Sequence, residues 1–386
     1  MEIYLDNSAT TRPCGEAVAA MLEAMEEHYH NPSALYSAAL RAEQEMTRAR
    51  RVLAENAGAR EKDVLFTSGG TESNHLAIMG YMGGQRKEGV ILYSAAEHPA
   101  VKNACLEAAA LYRQSAREIP LARDGSLDLQ AFEELLHSEV RLICVMQVCN
   151  ETGVVMPLQK VTRLRDRLAP QAAIHVDGVQ GYLRIPFSFA ELGVQSYAVS
   201  AHKVQGPKGI GGLILRPGHR IRPVLVGGGQ ENNLRSGTEN TPGIAGFRAA
   251  AEQYSQAADQ EVQTRKLKCR MARELKAAIP DMTVLGKLPE DSESAAHILT
   301  VSFPPVRAET LVHALEADGV LIGTGSACSS KKGKRSSVLT SMEVPPEIMD
   351  CAVRISFSPK TTEEEAMLAV ESIVKHFGVL QRFKRR

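Results

Sequence analysis

From His175 to Gly212 the chain reads HVDGVQGYLRIPFSFAELGVQSYAVSAHKVQGPKGIGG. Two near-continuous apolar runs fall in or across this stretch, Ala173–Asp177 and Tyr197–Ser200, and a third, Gly212–Leu215, follows. Runs without polar alternation suit strands covered by helices on both faces. The first run closes on Asp177. The second closes on Ser200-Ala201-His202-Lys203, with Gly206, Gly209 and Gly211 just beyond. Open α/β sheets bind ligands at the carboxyl ends of their strands. A lysine at such an end, beside glycines, can form an imine with a carbonyl cofactor. An aspartate on a neighbouring strand end can pair with a protonated pyridine nitrogen and make the ring a better electron sink. Taken singly, Lys203 reads equally well as a solvated loop lysine and Asp177 as a helix cap. Together, at adjacent strand ends, they favour a cofactor.

The same texture extends in both directions. Asp63–Thr67, Val90–Ser94 and Leu142–Val148 read as further strands. Glu72–Tyr81, Pro99–Gln114, Leu127–His137 and Leu158–Leu168 have helical spacing. Strand–helix alternation predicts an α/β domain with a mainly parallel sheet. After Gly229 the texture changes, through the polar, glycine-rich GGGQENNLRSGTENTP (227–242), to one long helical pattern over Pro242–Ala278. The last third reads as strand Ile298–Phe303, helix Ala308–Asp318, strand Val353–Ser358 and helix Thr362–Phe377, a smaller α+β unit. PEDSESA, Pro289–Ala295, reads as a surface loop.

The chain has 386 residues, 44% hydrophobic and 23% charged, with 45 basic and 45 acidic side chains. That length predicts two or three domains, and hydrophobicity without net charge argues against disorder. A zero balance creates no global field for nucleic acid or anionic membrane, so a basic partner surface has to be local. Seven cysteines are scattered without a C-x-x-C pair, which argues against a zinc ribbon, a thioredoxin motif or any metal site. No apolar stretch reaches the ~20 residues that span a bilayer, and the first residues lack the regions of a signal peptide. The expectation is a cytoplasmic protein with free thiols and no membrane partner.

Three more segments bring polar residues to the same sheet edge. Ser68-Gly69-Gly70-Thr71-Glu72-Ser73-Asn74 follows a strand and opens a helix, where free N–H groups and the helix dipole favour a phosphate. It is neither a Walker A loop nor a dinucleotide fingerprint. Glu97-His98-Pro99 supplies an imidazole that can stack on an aromatic cofactor or move protons. Asn150-Glu151-Thr152-Gly153 ends the next strand. Further on, Gly323-Thr324-Gly325-Ser326-Ala327-Cys328-Ser329-Ser330-Lys331-Lys332-Gly333-Lys334-Arg335 reads as an exposed, mobile loop. Its small residues and cations favour a Cys328 thiolate, the nucleophilic form. The other cysteines sit in apolar or helical patterns and read as packing residues.

With these motifs in place, the chain resembles the NifS/IscS family of cysteine desulfurases, pyridoxal-phosphate enzymes of the class V aminotransferase group. The likeness runs from Tyr4-Leu5-Asp6-Asn7-Ser8-Ala9-Thr10-Thr11 to Val353-Arg354-Ile355-Ser356. Its most specific parts are Ser200-Ala201-His202-Lys203, Arg235-Ser236-Gly237-Thr238 and Gly325-Ser326-Ala327-Cys328. It implies the fold type I of pyridoxal-phosphate transferases. That fold is α/β, with a large domain (15–248) built on a mainly parallel seven-stranded sheet. A small α+β domain (1–14 with 249–386) carries the catalytic cysteine loop.

The resemblance also implies roles. Lys203 is the Schiff-base lysine, Asp177 the partner of the pyridine nitrogen, Gln180 the partner of the ring hydroxyl, and His98 the stacking imidazole. Gly70, Thr71, Ser200 and His202 hold the phosphate. Thr238 completes that site from the neighbouring subunit, which implies a homodimer with shared active sites. Arg354, assisted by Asn150 and Asn31, binds the substrate carboxylate. Sulfur is removed from L-cysteine, giving L-alanine and a persulfide on Cys328, which passes to a sulfur-acceptor protein for tRNA thiolation, thiamine or iron–sulfur cluster synthesis. Ser329-Ser330-Lys331-Lys332 is more basic than the usual assembly-type loop and resembles Gram-positive relatives that serve a tRNA thiolation enzyme. Asn31-Pro32-Ser33-Ala34-Leu35-Tyr36 departs from the common NPSS-His pattern, which touches the substrate edge or the dimer. Other readings are a selenocysteine lyase or aminotransferase with Cys328 incidental, and a non-catalytic RNA-binding protein. The clusters Lys331–Arg335 and Lys384–Arg386 read as solvated faces, so contact with nucleic acid is expected through a partner rather than directly.

Overall fold

The computed structural model describes residues 2–255, 259–324 and 335–382. The chain begins with β1 (Ile3–Tyr4), α1 (Gly15–Glu26), α2 (Ser37–Ala57), β2 (Val64–Thr67) and α3 (Gly70–Met82). Then come β3 (Val90–Ser94), α4 (Pro99–Leu111), β4 (Ser115–Ile119), α5 (Leu129–Leu135), β5 (Val140–Cys144) and α6 (Leu158–Leu168). β6 (Ala173–Asp177), α7 (Phe189–Leu192), β7 (Ser196–Ser200) and β8 (Gly211–Leu215) complete a seven-stranded sheet, ordered β2-β8-β7-β6-β5-β3-β4. Only β8 runs against its neighbours. Six strands therefore deliver their carboxyl ends to one edge.

Both faces of this sheet are covered, which is why its strands read as continuous apolar runs. Successive residues of β3 enter different cores: Val90 and Leu92 pack with Leu53, Ile143 and Phe247, whereas Ile91 and Tyr93 pack with Ile78, Cys105 and Cys144. That alternation is the two-residue pleat of a strand.

The rest of the chain is α8 (Thr241–Ser255), α9 (Gln260–Ala278), β9 (Thr283–Val284), β10 (Ile298–Ser302), α10 (Ala308–Ala317), β11 (Val320–Leu321) and β12 (Gly323–Thr324). It ends with α11 (Ser337–Ser341), α12 (Pro346–Met349), β13 (Ala352–Ser356) and α13 (Glu363–Leu380). A second, antiparallel sheet has the order β12-β13-β10-β9, and β1 pairs in parallel with β11. Ile3 and Leu5 accordingly pack with Met271, Leu311, Ile355 and Ile373 in a core of their own.

Several sequence expectations need correction. β4 was not anticipated, because SAREI is an exposed edge strand with one buried residue and no apolar run. α4 stops at Leu111 rather than Gln114, and Arg113 lies in the left-handed region at φ 53°. α5 is shorter than Leu127–His137, because the Asp128 carboxylate accepts from the Gln130 and Ala131 N–H groups and sets its start. The strand read as Leu142–Val148 leaves the ladder at Cys144, and Val148 bridges only to Val155. The single helix read over Pro242–Ala278 is two, α8 and α9, with 256–258 outside the described residues. PEDSESA is not wholly a surface loop: Ser294 and Ala295 are buried and accept from the Lys268 ammonium at 2.6 and 2.8 Å. Of the cysteines read as packing residues, Cys14, Cys105, Cys144, Cys149 and Cys351 are buried, and Cys269 is half-buried.

Candidate active site

The carboxyl edge of the large sheet meets the second sheet across a cleft of about 420 Å³. Its lining includes Gly70, Thr71, His98, Asn150, Asp177, Gln180, Ser200, His202, Lys203 and Arg354. Six separate elements contribute them, so the sequence-predicted residues converge from distant parts of the chain.

Asp177, the last residue of β6, is held by directed hydrogen bonds. Its Oδ1 accepts from the Val179 N–H at 3.0 Å and its Oδ2 from the Asn74 amide at 2.7 Å. The Asn74 Oδ1 lies 2.9 Å from His175 Nε2, and His175 Nδ1 lies 2.8 Å from Ser196 Oγ. Because Asn74 spends its NH2 on Asp177, its oxygen must accept, so His175 carries its proton on Nε2. Burial pushes His175 down to about 3, which keeps it neutral in this chain of donors. The sequence assigns Asn74 and His175 no role, because their pattern places them only inside a helix and a strand.

Glu97, at the end of the β3 segment, is fully enclosed. Its Oε1 accepts from the Met146 N–H at 2.6 Å, and burial together with the charge of Asp177 pushes its carboxyl well up. His98 follows as the N-cap of α4. Its Nδ1 accepts from the Ala100 N–H at 3.1 Å, so the proton of the neutral ring sits on Nε2. Burial pushes His98 down; among its neighbours Lys203 does the same and Asp177 opposes.

Lys203 ends the short turn after β7. Its ammonium donates to the carbonyls of Ser8 and Ala9 at 2.6 and 2.8 Å. Burial and the cations Arg354 and Arg184 push it down to about 7, against the opposing pull of Asp6 and Asp177. Gln180 donates to the Ser8 carbonyl at 2.9 Å. His202, with Thr10 Oγ1 3.2 Å from its Nδ1, is pushed down to about 4 by burial and by Lys203 and Lys208.

The turn from β2 into α3 supplies the anion-facing corner. Gly69 sits at φ 151°, a backbone that favours glycine, and a Cβ on Gly70 would stand 2.6 Å from Val179 Cγ2. Glu72 fixes this turn, accepting from the Ser68 N–H at 2.7 Å and from Arg235 Nε at 2.8 Å. Opposite, Arg354 on β13 is only 3% exposed. It donates to Asp6 Oδ1 at 2.8 Å and to the Asn150 carbonyl at 2.9 Å. Its Nε has no protein partner among the described residues. Glu151, also on the cleft, accepts from Ser336 Oγ at 2.5 Å, and burial pushes its carboxyl up to about 7.

Asn31 and Thr238 are exposed and do not line the cleft of their own chain. Cys328 lies outside the described residues. The described residues on either side of 325–334 sit at the cleft: Gly323 pairs with Arg354 across β12 and β13, and Ser337 is on the cleft wall. No cluster of metal-ligating side chains occurs among the described residues, and none of their helices is long and apolar enough to cross a membrane.

An amine that gives up its proton near neutrality, a fixed carboxylate, a neutral imidazole and a buried guanidinium can together bind an anionic amino acid and move a proton at its Cα. The comparisons agree with that class of chemistry. A family model described as Aminotransferase class-V matches residues 3–368. Cysteine desulfurase 2 of Trichormus variabilis is 35% identical over 94% of this chain and 90% of its own. The solved structure of a NifS-like protein gives a TM-score of 0.91 at 31% identity, covering 98% of this chain and 100% of that one. SspA in complex with cysteine gives a TM-score of 0.79 at 26% identity, covering 94% and 100%. The chain belongs to the aminotransferase class-V family, whose members are enzymes dependent on pyridoxal 5′-phosphate.

Proposed function

We propose that the chain is a cysteine desulfurase that takes sulfur from L-cysteine, leaving L-alanine and a persulfide on Cys328. The observation that carries this reading is the meeting of Lys203, Asp177 and Arg354 in one cleft. Its kinship to a cysteine desulfurase, and the cysteine bound by a structural relative, support the choice of substrate.

The cleft fits the family's cofactor on its own chemistry. A phosphate suits the α3 N-terminus at Gly70 and Thr71, where a Cβ on Gly70 would meet Val179, with Ser200 and His202 beside it. A pyridine nitrogen suits Asp177, whose carboxylate is oriented by Asn74 and Val179. Gln180 would meet the ring hydroxyl, His98 the ring face and Lys203 the carbonyl carbon. When bound, pyridoxal phosphate supplies a ring that stores the electron pair released at Cα. Arg354 holds the substrate carboxylate, with Asn150 beside it. Lys203, pushed down to about 7, takes the α-proton as a neutral amine. His98 carries a proton at Nε2. The Cys328 thiolate attacks the substrate sulfur: a sulfur–sulfur bond forms, the Cβ–S bond breaks, and its electron pair stays with the carbon skeleton that leaves as alanine.

Thr238, exposed in its own chain, would reach the cleft of a second copy in a homodimer. Val18, Leu22 and Met25 form an exposed apolar stripe on α1 and support that assembly. We assign 15–248 to the large domain and 1–14 with 249–386 to the small one. The enzyme would be cytoplasmic and hand sulfur to an acceptor protein in tRNA thiolation, thiamine or iron–sulfur synthesis, without binding nucleic acid itself. Labelled sulfur traced from cysteine into paired candidate acceptors identifies that acceptor. The function is tested first by the visible absorbance of the purified protein. It should be present in the wild type and lost in Lys203→Ala; a wild type unable to bind pyridoxal phosphate contradicts the proposal.

A further inference from the structure

Arg184 lies behind the cleft, only 8% exposed, in the segment between α6-side strand β6 and α7. Its Nη1 donates to Gln180 Oε1 at 2.7 Å, and its Nη2 donates to the main-chain carbonyl of Lys203. Its Nε has no partner among the described residues. No carboxylate of the described residues pairs with it; on its far side it shares the wall of a second cavity with Tyr254 and His297. A largely buried arginine without a paired carboxylate is costly, because no anion repays its lost solvation. Its contacts show where that cost is used. By accepting from Arg184, the Gln180 oxygen is fixed, so its NH2 must face Ser8, whose carbonyl also receives the Lys203 ammonium.

We propose that Arg184 is a positioning residue for Lys203: it fixes the Gln180 amide and the Lys203 main chain, and places an uncompensated cation near the amine. The charges facing Lys203 are Arg184 and Arg354 on one side of the balance, and Asp6 and Asp177 on the other. His98 and His202 are both pushed down and stay neutral near pH 7. Arg354 also has a substrate to bind and Asp6 to pair with. Arg184 has neither, so its effect on the amine is its distinguishing contribution.

This inference rests on the proposed cofactor reading, and the test separates the two. The pH midpoint of the visible absorbance of the holoenzyme is measured for wild type, Arg184→Gln and Arg184→Lys. Gln keeps a donor without the charge; removing a nearby like charge lets Lys203 hold its proton longer, so the midpoint rises by about one pH unit. Lys keeps the charge without the fork, so the midpoint stays while the absorbance maximum shifts as Gln180 loosens. If Arg184→Gln does not fold, Arg184→Met removes the same charge at similar length and should raise the midpoint in the same way. A wild type with visible absorbance whose midpoint Arg184→Gln leaves unmoved overturns the inference alone. A wild type without visible absorbance overturns the cofactor reading and the inference with it.

Discussion

Burial shifts Glu97, His98, Glu151, His202 and Lys203 of the cleft, and their charged neighbours add to or oppose it. The Ser196–His175–Asn74 chain ends on Asp177, and burial with the neighbouring Asp177 pushes the Glu97 carboxyl well up. Replacing Asn74 by Leu removes a hydrogen bond to a carboxylate, worth about 1.5–3 kcal/mol. The cofactor dissociation constant, followed by fluorescence titration, should rise roughly 10- to 100-fold. Glu151 offers a pH-dependent counterpart. Its folded carboxyl is raised from 4.5 to about 7, so between those values the folded protein holds a proton that the unfolded chain has lost. Stability therefore falls as pH rises through that window, and the deficit is complete above it. Glu151→Gln keeps an acceptor for Ser336 without the charge. It should be more stable to urea than wild type at pH 8, by about 3 kcal/mol, and alongside it at pH 4.

At the scale of elements, the site exists because strand ends are close-packed. A Cβ on Gly178, directly after β6, would lie 2.1 Å from the buried Tyr197 ring. Gly178→Ala must displace Tyr197, which also donates to Gln147 Oε1 at 2.7 Å. It should cost about 1–3 kcal/mol in urea unfolding and reduce cofactor occupancy, since Asp177 adjoins it. The same packing explains what the sequence disclosed. β3, β6, β7 and β8 were readable because strands buried on both faces leave unbroken apolar runs. β4 was not, because its outer edge faces water. α2 carried a helical signal in Ala39, Ala42, Met46, Ala49 and Leu53 that the reading left unassigned. In the site, Lys203, Asp177 and His98 were readable as polar residues ending such runs. Arg184 and the His175–Asn74 link were not, since each acts through contacts made more than one element away.

At the scale of the whole molecule, the cleft needs both sheets. Asp6, after β1, and Arg354, on β13, pair across 348 positions of sequence and close it from the second sheet. In the proposed dimer, the α1 stripe is covered by a second copy. Leu22→Glu combined with Met25→Glu should convert dimer to monomer in light scattering and lower cofactor occupancy, because Thr238 would then reach no partner. The most direct test concerns Cys328. Wild type and Cys328→Ala are loaded with pyridoxal phosphate and given L-cysteine, and the intact protein is weighed by mass spectrometry while alanine is counted. The wild type should gain one reducible sulfur on Cys328 and release alanine. Cys328→Ala should keep its visible absorbance yet gain no sulfur and make no alanine. Unchanged alanine formation by Cys328→Ala would contradict the proposed sulfur transfer.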